Sequence, residues 1–94
     1  MHVRVVRFTG VTRERMDTLK ARIEGAGGPP EGVRTTGLTV AFDEAQGTAV
    51  VIQAFATAAD LEDSAKIFEA MDAAETPGTR ASVDSCEVVL DLEP

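Results

Sequence analysis

The stretch LTVAFDEAQGTAVVIQAFAT, residues 38–57, decides the fold. Leu38, Val40 and Phe42 alternate with Thr39, Ala41 and Asp43, the period-two pattern of a half-buried β-strand. Glu44, Ala45, Gln46 and Gly47 form a short polar connection, and residues 48–56 read as a second strand, so the pair makes a hairpin. Thr57 follows as a helix cap with Asp60 three residues on, and Ala56 and Leu61 have the spacing of a small hydrophobic staple. The stretch is therefore strand, turn, strand and the opening of a helix.

Downstream, Leu61, Ala65, Phe68 and Met71, with Ser64 and Ile67 beside them, give that helix an apolar face to about Asp72, while Glu62, Asp63, Lys66 and Glu69 form its outward side. Thr76, Pro77 and Gly78 end it. Residues 80–92 then form a last strand, polar in its first half (Ser82, Asp84, Ser85, Glu87) and apolar in its second (Val88, Val89, Leu90, Leu92). Upstream, residues 2–8 are a Val-rich strand ending in a turn at Thr9 and Gly10. Thr12 caps a helix over residues 13–24, with Val11 and Met16 at staple spacing, a stripe through Met16, Leu19 and Ile23, and Gly25 as its left-handed stop. Residues 25–32 are Gly- and Pro-rich, and Pro29 and Pro30 separate those glycines from any helix start, which excludes a phosphate-cradling loop. The order is βαββαβ, two split βαβ units that make a ferredoxin-like α+β sandwich: an antiparallel four-stranded sheet with two helices on one face.

The 94 residues fill one domain, 1–94, with 44% apolar and 27% charged residues, a composition that folds. A net charge of −7 with dispersed basic residues argues against nucleic acid and anionic membrane surfaces as partners. The first residues hold no long apolar run, so neither a signal peptide nor a membrane span is expected, and the reading is a cytoplasmic protein. Cys86, the single cysteine, reads as a small buried hydrophobe that is dispensable for function.

Helices cover one face of such a sheet, yet Val5 and Val6, then Val50, Val51 and Ile52, are consecutive, so both faces hold apolar groups. If Leu38, Val40, Phe42, Val50, Ile52 and Ala54 lie under the helices, Val51, Gln53 and Phe55 point away. A second copy covering that face would bury them, which predicts a homodimer at micromolar concentration. The Val5–Val6 doublet leaves open which side of strand one lines the resulting cavity; Arg4, Val6 and Phe8 are placed there provisionally.

The layout resembles the dimeric α+β barrel superfamily, which includes the antibiotic-biosynthesis-monooxygenase-like proteins. The resemblance runs over nearly the whole chain: the first strand ending in Val5, Val6, Arg7 and Phe8, the strand from Ile52 to Phe55 entering a helix at Thr57, and the polar-to-apolar last strand. It implies two sheets facing each other around a cavity, here lined by Arg4, Val6, Phe8, Val51, Gln53 and Phe55, able to bind a small apolar molecule. The family hosts enzymes and non-enzymes. Its cofactor-free monooxygenases are built around Asn, Trp, Tyr or His; this chain has no Asn, Trp or Tyr, and its one histidine is His2. The expected function is thus a non-catalytic dimer without cofactor, haem or metal, the alternative being a cofactor-free monooxygenase or isomerase acting on a flat hydrophobic substrate. A triad of His2 with Cys86, or with Ser85 and Asp84, has no supporting spacing, and alternation sets Asp84 and Glu87 on opposite faces. Gln53 interrupts an apolar strand and must be satisfied: either it orients a ligand or, the preferred reading, it closes a structural hydrogen bond across the dimer or to Arg4 or Arg7.

Overall fold

Thr12 and Thr57 open the two helices as their side chains allow, each hydroxyl accepting a hydrogen bond from the backbone N–H three residues on: Arg15 at 3.2 Å and Asp60 at 3.1 Å. In the computed structural model, which describes residues 1–70 and 76–92, they start helices α1 (Arg13–Ala26) and α2 (Ala58–Glu69). The strands are β1 (His2–Thr9), β2 (Gly37–Asp43), β3 (Thr48–Phe55) and β4 (Thr79–Glu87), in the order β1-α1-β2-β3-α2-β4. They form one antiparallel sheet with spatial order β2-β3-β1-β4, the ferredoxin-like α+β arrangement.

Several boundaries differ from the sequence reading. Helix α1 runs past Gly25 and stops at Gly27, the residue that takes the left-handed conformation (φ 72°). Helix α2 is described to Glu69 and capped at Ala70; its expected end at Asp72, like Met71, lies outside the described residues. Strand β4 ends at Glu87, short of Leu92. The Val88 N–H still donates to the Met1 carbonyl at 2.9 Å, but Val89, Leu90 and Leu92 leave the sheet and are exposed. Cys86 is also exposed, against the expectation of burial.

The core forms where α1 meets the sheet. Val6, Phe8, Val11, Met16 and Ala49 are buried together, with Leu19, Val40, Phe42, Val51 and Val83 packed against them. Val11 and Met16 lie in this cluster, as their staple spacing anticipates. The register explains which strand residues take part. Direct partners across an antiparallel ladder share a face, and Leu38, Val40 and Phe42 pair with Gln53, Val51 and Ala49, which pair in turn with Arg4, Val6 and Phe8. Arg4, Val6, Phe8, Val51, Gln53 and Phe55 do share one face, as expected, but it is the face beneath the helices, not the one turned away from them. The helix-free face carries the other set: Val3, Val5 and Arg7 of β1, Val50, Ile52 and Ala54 of β3, Thr39 and Ala41 of β2, and Ser82, Asp84 and Cys86 of β4.

Candidate functional site

Arg4 is the chemically distinctive residue of the buried face. It sits in the middle of a Val-rich strand, opposite Gln53 on β3 and Ser85 on β4, and retains only 4% of its surface. Its guanidinium donates from Nη1 to Gln53 Oε1 at 3.2 Å and from Nη2 to Glu69 Oε1 at 3.0 Å, and lies 5.1 Å from the centroid of the Phe68 ring. Glu69 Oε1 also accepts from Arg80 Nη1 at 2.8 Å, so one carboxylate holds two guanidinium groups. Arg80 reaches this point because a register shift between Arg7 and Phe8 pairs it with Phe8, on the helix side of β4. Arg4 Nε, also buried, has no hydrogen-bond partner among the described residues.

The electrostatics follow from this geometry. Burial pushes the Arg4 guanidinium below its ordinary pKa, opposed by its hydrogen bond to Glu69; it stays charged, as arginine does in proteins. The hydrogen bond from Arg80 is the largest cause holding the Glu69 carboxyl below the usual carboxylate range, with Arg4 adding to it. The cluster ties the end of α2 to β1, β3 and β4. Apart from Arg4 Nε, the donors seen here are directed at acceptors within the cluster, which works as a fastening between helix and sheet.

Gln53 therefore takes the structural role, through Arg4. Gln53→Ala should lower stability by about 1–3 kcal/mol, because it leaves a buried Arg4 donor without its acceptor. Thermal melting with and without added small molecules checks this: the loss should be the same in both.

The other candidates divide between the two faces of the sheet. His2 and Ser85 lie on the helix side, opposite Phe55 and Arg4, whereas Asp84 and Cys86 lie opposite Val5 and Val3 on the helix-free side; alternation thus sets His2 apart from the Asp84 and Cys86 side chains, and no hydrogen bond joins it to Ser85. Asp84 and Glu87 occupy opposite faces, as alternation requires. Among the described residues no group of three or more His, Cys, Asp or Glu is placed to hold a metal ion, and no helix is long and apolar enough to cross a membrane. A groove of about 470 Å³ between α2 and the β4 edge is lined by Ala58, Leu61, Glu62, Ala65 and Lys66 of the helix and by His2, Ser85, Cys86 and Glu87 of the sheet.

The helix-free face is the larger unexplained feature. Its rows run Ala41–Val50–Arg7–Ser82, Thr39–Ile52–Val5–Asp84 and Gly37–Ala54–Val3–Cys86 across the four strands. The centre is thus a block of Val3, Val5, Val50, Ile52 and Ala54, all half-buried by their strand neighbours alone. Arg7 and Asp84 flank it, exposed, and neither makes an ion pair among the described residues.

The chain matches no family model, no curated protein and no solved structure.

Sequence reasoning missed Glu69 and Arg80 as members of the Arg4 cluster. Glu69 read as part of a solvated helix face, and its side chain is indeed half exposed; only the bulge in β4 brings Arg80 to it. No local pattern in the sequence marks that bulge.

Proposed function

We propose that this protein acts as a homodimer in which two copies close their helix-free sheet faces on each other, in the manner of the dimeric α+β barrel superfamily its layout resembles, and that it is a non-catalytic assembly or binding module. The observation that carries this reading is the block of Val3, Val5, Val50, Ile52 and Ala54 on the two central strands, on the side the helices leave open. Fully burying a Val or Ile is worth about 1.5–3 kcal/mol, so a contiguous block of this kind favours a partner. Charge points to a second copy as that partner. The chain carries −7, yet the charged residues flanking the valine block on this face are one base and one acid, Arg7 and Asp84, with Asp43 at the outer end of β2, which keeps most like-charge repulsion away from the contact. A twofold axis passing between these two residues would set Arg7 of each copy against Asp84 of the other, the self-complementary arrangement of an isologous interface.

A small apolar molecule fits this reading where two twisted sheets diverge, between the valine rows rather than around Arg4 and Gln53. The alternative, a cofactor-free monooxygenase or isomerase, draws less support, since the acid and base that flank the valine block, Asp84 and Arg7, have a ready role in pairing. Sedimentation velocity at micromolar protein tests the reading. The chain should run as a dimer, and Val5→Thr with Ile52→Thr, which keeps the β-branched shape and the fold, should weaken dimerisation about tenfold or more. A stable monomer of the unaltered chain would overturn it.

A further inference from the structure

We infer that residues 88–92 form an arm that docks on the second copy and completes the dimer contact, an inference that rests on the homodimer reading. Among the described residues the exposed large apolar side chains are Met1, Leu38, Val89, Leu90 and Leu92; Leu38 lies on the far edge strand β2, and the other four lie where β1 begins and β4 has ended. Three belong to the arm: Val89 is 87% exposed, Leu90 71% and Leu92 79%. Nothing in their own subunit covers them among the described residues.

The arm leaves the sheet from a fixed point at Val88. Cys86 lies opposite Val3 on the helix-free side, and the Val88 N–H continues the ladder by donating to the Met1 carbonyl. If the arm runs on extended from β4, alternation sets Val88, Leu90 and Leu92 on the helix-free side and Val89 and the acidic Asp91 on the other. In that course the apolar face extends past the sheet itself. The sheet cannot fold back to cover this extension, but a second copy seated on the helix-free face can.

Area supports the same occupant. Four strands of about seven residues present a footprint of roughly 19 by 23 Å, about 440 Å². A stable interface needs about 800 Å² of accessible surface on each partner. Five extended residues reach about 17 Å further and present apolar side chains along that length, which brings the contact toward the required size.

Sedimentation equilibrium on three forms tests the arm: the unaltered chain, the full-length double variant Leu90→Ser/Leu92→Ser, and a chain ending at Glu87. The unaltered chain should be a dimer, and both altered forms should dissociate about 10- to 100-fold more readily, with circular dichroism and melting of the monomer unchanged because the arm is outside the core. If the altered forms dimerise as tightly as the unaltered chain, the arm is wrong and the sheet-face dimer stands. If the unaltered chain is monomeric, the dimer reading fails and the arm with it.

Discussion

Arg4→Ala should lower the unfolding free energy by about 2–4 kcal/mol in urea denaturation. Two losses add. The Gln53 Oε1 acceptor, buried and bonded to Arg4 Nη1, is left without a donor, which costs about 1–3 kcal/mol. The Arg4 stem and its face-on contact with Phe68 also disappear, and with them the tie between β1 and the end of α2. Against these stands the release of the Arg4 desolvation cost, which is why the estimate stops short of a fully buried ion pair broken on one side. Glu69 keeps its bond to Arg80, so no unpaired carboxylate is created. The control is Arg4→Met with Gln53→Leu: removing both polar partners while keeping volume should be nearly neutral. A double variant as unstable as Arg4→Ala would show that the cluster does more than satisfy itself.

Phe55→Ala should be still more damaging, at about 3–5 kcal/mol, because its ring is wholly buried at the end of β3, where the chain turns into α2. A domain of this length has a total stability on the order of 5–14 kcal/mol, so the variant should be partly unfolded at 37 °C. Near-ultraviolet signals are weak in a chain without Trp or Tyr; far-ultraviolet circular dichroism during thermal melting is the suitable measurement. Phe55→Leu, which leaves a smaller void, should recover about half of the loss.

How much of this was legible in the sequence differs between order and orientation. The six elements could be read from periodicity and caps, since Thr12, Thr57 and the alternation of residues 38–42 are local signals. The face of each strand was less clear, because Val5–Val6 and Val50–Val51–Ile52 are apolar on both sides. A usable clue lay in the hairpin. A four-residue connection pairs Asp43 with Thr48, which sets Leu38, Val40 and Phe42 beside Gln53, Val51 and Ala49, not beside Val50, Ile52 and Ala54. Hydrophobicity argued against that assignment, since it puts an arginine and a glutamine under the helices; the two bury together because each satisfies the other. The early end of β4 was hidden for a similar reason. Residues 88–92 have a strand's composition, but only Val88 is tied to β1, at Met1. The Arg4–Glu69–Arg80 link joins residues 65 and 11 positions apart and depends on the β4 bulge, so no motif could carry it.

The most direct test of the helix-free face as the dimer contact is an isotope-filtered nuclear Overhauser experiment on a mixture of labelled and unlabelled chains. Contacts between copies should appear among the methyl groups of Val3, Val5, Val50 and Ile52 and be absent from Val6 and Val51, which lie beneath the helices. Intermolecular contacts confined to the helix side, or none at all at concentrations well above micromolar, would contradict the account.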